Sequence, residues 1–251
     1  MSADAYDRFM GRYSLPLAPQ LADMARVVRG QRVLDVGCGP GALTRELVGR
    51  VGADLVAAVD PSESFVVAAG ERCPGVQVEL AAADRLPFED HVFDATLAQL
   101  VVHFMEDPVA GLREMARVTR PGGVVAVSVW DHAGRHGPLN LFWEAARARD
   151  PDLEGEAHLP GAREGHLMEL LDAAGLQDIE GHPLRVEVEH PSFEEWWEPF
   201  TQGVGPAGAH VASLDVQEQG RLRDRCRELL PEAPFVITAV AWAATGIAPS
   251  G

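Results

Sequence analysis

The sequence predicts an α/β chain, built as a mostly parallel sheet with helices on both faces. Three observations carry this. Apolar runs of strand type recur at residues 32–36, 55–59, 76–80, 93–98 and 124–129. Segments with helical spacing lie between them, at 43–51, 62–73 and 108–119. The first run also ends in a glycine-rich turn, Gly37-Cys38-Gly39-Pro40-Gly41, that leads into the first of these helices. Strands alternating with helices form crossover units, which make neighbouring strands parallel and cover both sheet faces.

Each element has a local reason. Val33-Leu34-Asp35-Val36 is a buried-strand run bounded by a turn. Over 108–119, Leu112, Met115, Ala116 and Thr119 share one helix face, and Arg113 and Glu114 turn away. After residue 130 the pattern changes. Residues 131–160 are richer in His, Gly, Pro and aromatics, with one helix predicted over 139–149. Helical spacing returns at 162–174 and stops at Gly175, a suitable C-terminal cap. Two late strands are predicted at 184–188 and 235–243. The alternation Arg185-Val186-Glu187-Val188-Glu189 reads as half-exposed, and such strands can pair antiparallel at one sheet edge. Between them, 190–232 is a long insertion with a helix at about 215–230. The chain thus reads as a single domain over 1–251. It has an N-terminal segment (1–29), a central core (30–130), insertions at 131–161 and 190–232, and the rest of the core at 162–189 and 233–246.

Composition limits the function classes. A 251-residue chain with 47% hydrophobic residues has enough apolar material for a substantial core. Its net charge of −17 argues against nucleic acid and anionic membrane surfaces as partners. All 21 basic residues are arginine, so chemistry that needs a lysine amine is excluded. Cys38, Cys73 and Cys226 are scattered without metal-ligand spacing, which suggests a reducing compartment. Residues 1–9 are charged and lack an apolar run, so no signal peptide is expected there, and a cytoplasmic location is. No stretch is apolar for long enough to cross a bilayer. His132 and His136 share a loop with Asp131, a poor chelate, so no metal is expected.

The glycine turn is the centre of the functional reading. Glycines let a ligand approach the backbone, and the following helix offers unpaired N–H groups. The second strand run ends in Asp60, whose two carboxylate oxygens match the two vicinal hydroxyls of an adenosine ribose. A helix N-cap before Pro61 is the plainer role for that acid. The turn alone also satisfies a dinucleotide-binding pattern, so an NAD(P)-dependent oxidoreductase stays open at this point.

Further motifs follow in order: Ala82-Ala83-Asp84-Arg85-Leu86-Pro87-Phe88, then Phe93 to Gln99, then Arg120-Pro121-Gly122-Gly123. Together with the turn and Asp60, this set resembles the class I S-adenosylmethionine-dependent methyltransferases. The likeness is greatest to the branch that holds ubiquinone- and menaquinone-biosynthesis enzymes and many small-molecule methyltransferases. It is firm from about residue 6 to 129 and looser beyond. The resemblance implies a Rossmann-like, seven-stranded, mostly parallel sheet with one antiparallel edge strand. It implies S-adenosylmethionine as cofactor, S-adenosylhomocysteine as its product, and a small-molecule methyl acceptor. Asp35, Gly37, Gly39 and Gly41 match the motif that holds the methionine part. Asp60 matches the ribose acid, with Pro61 and Ser62 beside the adenine. Asp84 matches the acid that meets the adenine amino group, flanked by Arg85 and Leu86. Gln99 and Leu100 match the strand end beside the sulfonium. The segment from Tyr6 to Tyr13 resembles an N-terminal lid. There Arg12 or Arg8 is expected to reach the cofactor carboxylate, and Tyr6 or Tyr13 to pack over the cofactor.

Methyl transfer from a sulfonium needs alignment and a dry cavity more than acid–base chemistry. If the acceptor is a hydroxyl, His103 and His132, each just past a strand end, are the candidate bases. Trp130, Trp196, Trp197 and Phe200 are the candidate acceptor-binding aromatics, with Trp196 and Phe200 four apart on one helix face. The same rings in the 190–232 insertion also suit plain docking onto the core. A cofactor-binding protein that regulates without turnover is the remaining alternative, and the sequence leaves the oligomeric state open.

Overall fold

The computed structural model describes residues 3–249. Its sheet has seven strands: β1 (Val33–Val36), β2 (Val56–Asp60), β3 (Gln77–Leu80), β4 (Phe93–Gln99), β5 (Thr119–Trp130), β6 (Gln177–His190) and β7 (Phe235–Ile247). They lie in the order β3-β2-β1-β4-β5-β7-β6. The first five pair in parallel. β7 runs antiparallel to both β5 and β6, so the antiparallel strand sits at this edge with β6 outside it. The helices are α1 (Ala3–Tyr6), α2 (Arg12–Met24), α3 (Ala42–Val51), α4 (Glu63–Arg72), α5 (Pro108–Val118), α6 (Asn140–Arg147), α7 (His166–Ala173), α8 (Phe193–Trp197), α9 (Gly205–Ser213) and α10 (Val216–Leu229). Among the described residues no helix is long and apolar enough to cross a membrane.

Side-chain alternation along the strands divides the core in two. Val33 and Leu97 pack against Leu21 of α2 and Leu43 and Leu47 of α3. Leu34, Val36 and Ala98 face the other way, onto Leu112 and Met115 of α5 and Leu171 of α7. α5 starts where Asp107 caps it, accepting from the Ala110 N–H at 3.0 Å. A third cluster forms where the N-terminal segment and both insertions meet the β5, β6 and β7 end of the sheet. It contains Phe9, Tyr13, Phe142, Trp143, Trp196, Trp197 and Phe200.

Four elements differ from the sequence-based expectation. The helix predicted over 162–174 is only α7, because Gly161 and Gly165 both take left-handed φ (+80° and +79°) and hold an irregular turn before it. β6 and β7 extend well past their predicted cores, because one ladder pairs them from Glu180 with Thr245 to His190 with Phe235. Pro183 is tolerated inside β6 because that strand is on the edge. Trp196 and Phe200 do not share one α-helix: α8 gives way to a 3-10 turn over Glu198–Gln202, which includes Pro199. Their rings still meet, with centroids 4.8 Å apart.

The crossover from β1 is tied down by backbone. The N–H groups of Gly37 and Cys38 both donate to the Val59 carbonyl, at 2.8 and 2.9 Å. Gly37 has φ +71°, and a Cβ there would stand 2.5 Å from Val101 Cγ2. Gly37→Ala is therefore expected to destabilise the fold by roughly 1–3 kcal/mol. Adding Val101→Ala should recover part of that loss in a chemical-denaturation cycle. Equal costs with and without the Val101 change would disprove the steric account.

Candidate functional site

The C-terminal ends of β1, β2, β4 and β5 converge on one cleft of about 330 Å³, the place where open α/β sheets bind ligands. Its floor is the glycine turn. Gly39 has φ +53°, and no atom lies within 4 Å of where its Cβ would be, so the cleft is open above it. Its N–H donates to Asp60 Oδ2 at 2.9 Å, and the Ser62 N–H donates to Oδ1, also at 2.9 Å. Asp60 is thus aimed by one backbone donor on each oxygen, and each oxygen keeps a lone pair. Burial pushes its carboxyl above the usual range, against the pull of those two donors.

The other glycine-turn residues serve differently. Gly41, at φ +97°, faces α4: a Cβ there would lie 3.4 Å from Cys73 Sγ. Asp35 is buried beneath the turn, with Oδ2 accepting from Thr44 Oγ1 at 2.6 Å. Its Oδ1 has no partner among the described residues. Burial pushes this carboxyl up to about 7.

Tyr6, Gly37, Pro61, Ser62, Gln99, Leu100, Trp130, His103 and His132 also line the cleft. Tyr6 sets its ring edge-on to Phe65, with centroids 5.6 Å apart. Leu100 takes a left-handed φ of +61° at the end of β4, and backbone strain of this kind tends to gather at functional sites. Gln99 donates to the Ser14 carbonyl at 3.0 Å and leaves its Oε1 unpartnered. Trp130 Nε1, His103 Nδ1 and His132 Nε2 are likewise buried without partners among the described residues. Such atoms are rare in a finished interior, and a cluster of them around one cleft marks a place for a polar ligand.

The two histidine rings are 6.1 Å apart. Burial lowers His103 to about 3, helped by His132, and lowers His132 to about 4. The carboxylate of Asp131 does not pair with His132. It accepts from His136 Nδ1 at 2.7 Å and from the Gly134 N–H at 2.8 Å.

Other residues singled out by sequence lie elsewhere. Arg12 spans His190 Nδ1 (2.9 Å) and Glu195 Oε1 (3.0 Å), and with Arg8 it lines a separate small recess. Tyr13 is buried, and its hydroxyl meets His190 Nε2 at 2.8 Å. Asp84 and Arg85 are exposed after β3, outside the cleft lining. Leu86 is in the core, and its N–H donates to Glu114 at 3.0 Å. Arg117 grips the same segment through the carbonyls of Leu86 and Phe88. Trp196, Trp197 and Phe200 are packed among themselves and against Phe142, which stacks on Phe200 at 4.6 Å. That packing is the docking role.

Several cleft residues were not picked out by sequence reading: Phe9, Met10, Phe65, Leu139, Glu156 and Val204. Glu156 belongs to a local run of acids, where nothing in the pattern separates a buried carboxyl from a solvated one.

Residues 34–127 match the family described as a methyltransferase domain. Over 127 residues the chain is 39% identical to an uncharacterized methyltransferase of Mycobacterium tuberculosis, covering 51% of this chain and 49% of that one. The chain thus spans about half the length of that relative. It is 29% identical over 220 residues to a malonyl-[acyl-carrier protein] O-methyltransferase of Erwinia billingiae, covering 72% of this chain and 85% of the relative. Its fold superposes on the phosphoethanolamine N-methyltransferase 2 of Haemonchus contortus, solved with phosphomonomethylethanolamine and S-adenosylhomocysteine. That match has a TM-score of 0.56 and 18% identity, and covers all of this chain and 61% of the other. Residues 34–127 thus carry a methyltransferase domain, and with its strand order, glycine turn and Asp60 cleft the chain is similar to the class I S-adenosylmethionine-dependent methyltransferases.

Proposed function

We propose that this chain transfers the methyl group of S-adenosylmethionine to a small-molecule acceptor. The observation that carries the reading is Asp60, aimed by the Gly39 and Ser62 N–H groups at the edge of a cleft that stays open over Gly39. The donor set fits an adenosine with an amino-acid tail. Asp60 retains acceptor capacity for two ribose hydroxyls. Gly37 and Gly39 leave room for the tail, and Asp35 Oδ1 below them is an unpartnered acceptor. Tyr6, Pro61 and Phe65 supply flat apolar surface, with Ser62 beside them. Gln99 and Leu100 stand at the β4 end. The reading assigns Asp84 and Arg85 to the adenine, with Leu86 holding their segment on the core. Because Arg12 is engaged by His190 and Glu195, the carboxylate role passes to backbone N–H groups and the Tyr6 hydroxyl.

When bound, the cofactor supplies an already activated methyl group on a sulfonium. The protein's own work is alignment and exclusion of water. Apolar walls and the closed N-terminal segment serve the second. Trp130, His103 and His132 border the space left for the acceptor. Both imidazoles are uncharged at neutral pH, the state a general base requires, although their lowered basicity makes them weak ones. The net charge of −17 supports a small molecule over nucleic acid as acceptor.

Titration calorimetry tests the cofactor. S-adenosylhomocysteine should bind and NADH should not. Asp60→Ala should weaken S-adenosylhomocysteine by about 1–3 kcal/mol. Unchanged affinity, or binding of NADH alone, would sink the assignment.

The histidines also make a linkage prediction. Their folded values lie below the unfolded value of about 6.5, so only the unfolded state takes up these protons as pH falls from about 6.5 to about 4 for His132 and to about 3 for His103. Their contribution is full above that window and is lost through it. Asp35, raised to about 7, works in the opposite direction, so the difference between wild type and His103→Asn is diagnostic. Thermal melts should show wild type losing stability relative to the variant between pH 6.5 and 4. A pH-independent difference would contradict the buried, neutral assignment.

A further inference from the structure

Glu156 is the buried acid that the reading above leaves without a task. It is 4% exposed and makes no ion pair among the described residues, which is an expensive place for a carboxyl. Its position is built. Gly155, at φ +61°, lies flat against the Trp143 ring, where a Cβ would stand 3.0 Å from Cδ2. The next residue then turns inward, and Trp143 Nε1–H donates to Glu156 Oε2 at 2.8 Å. That bond satisfies one oxygen. The other has no partner among the described residues, and Glu156 lines the cleft together with His132 and Trp130. On the same lining, Trp130 Nε1–H and His132 Nε2 are buried without partners among the described residues. Glu156, His132 and Trp130 thus bring two acceptors and a donor to a lining that also holds apolar residues such as Phe9, Leu139 and Val204.

We propose that Glu156 binds the methyl acceptor, and that the acceptor is an apolar molecule carrying an uncharged hydroxyl. This rests on the methyltransferase reading of the same cleft. A hydroxyl donates once and accepts as well, so it can give its proton to the free oxygen of Glu156 and accept from the Trp130 N–H. A cationic head is disfavoured, because the surroundings hold both neighbouring imidazoles neutral. An anionic head would face a carboxyl. Arg147, which lines the space behind Glu156, donates to the Leu153 carbonyl instead of pairing with it.

The probes are 4-butylphenol, 4-butyltoluene and 4-butylbenzylamine, titrated into protein saturated with S-adenosylhomocysteine. Wild type should prefer the phenol over the toluene by about tenfold. Glu156→Gln keeps an acceptor for Trp143 but offers an amide, and should reduce that preference to less than about threefold. Trp143→Phe removes the structural partner and should leave the preference in place, which a purely structural Glu156 would not explain. The proposal is overturned if wild type shows no preference for the phenol, if it favours the amine, or if Glu156→Gln leaves the preference unchanged. S-adenosylhomocysteine affinity is measured on each protein first. Loss of that binding in wild type would count against the methyltransferase reading itself, whereas normal binding without phenol selectivity would count against Glu156 alone.

Discussion

The joint between β1 and β2 is what the rest of the site depends on. Two N–H groups of the glycine turn converge on one carbonyl of β2, and a third reaches the carboxylate at its end. A turn held this way needs no ligand to take its shape. It points Asp60 across the cleft with one oxygen on each of two backbone donors, so neither oxygen is free to rotate away. Preorganisation of this sort lowers the ordering cost of binding. It also explains why Gly37 tolerates no side chain: Val101, from the β4 end, packs directly against it.

A second constraint is the cap. The N-terminal segment and the two insertions bury their aromatic rings against one another and against the β5, β6 and β7 side chains Trp130, Val186, Val188 and Phe235. The stacked pair of Phe142 and Phe200 joins one insertion to the other, and Phe9 meets Phe200 edge-on at 5.0 Å. Arg12, Tyr13 and His190 then link the N-terminal segment to the end of β6. The cap thus shares one core with β5, β6 and β7 and borders the cleft, where a few polar atoms stay unpartnered among the described residues. Fold and cleft are separable here: the strand ends supply Asp60, Gln99 and Trp130, and the cap adds residues such as Phe9, Leu139 and Glu156 to the same lining.

How much was legible follows from the range of each signal. Strands β1 to β5 and helices α3 to α5 came from periodicity and turn chemistry, which are local. Asp60 was legible because a carboxylate at a strand end, about twenty residues past a glycine turn, has a simple geometric use. Arg12 was not, since its partners His190 and Glu195 lie far along the chain and no local pattern announces them. The aromatic run at 193–200 left two uses open, and packing favours the docking one. Glu156 was invisible among neighbouring acids, because burial of a single carboxyl depends on a tryptophan thirteen residues earlier.

The sequence by itself determined the α/β class, the parallel core, the glycine turn and its acid, because each rests on contacts within a few tens of residues. Only the tertiary structure decided how far β6 and β7 run, where the arginines of the N-terminal segment point, and which carboxyl and which rings face the cleft. Those depend on which distant side chains compete for the same partner and on how much water their packing excludes, and neither is written in local spacing.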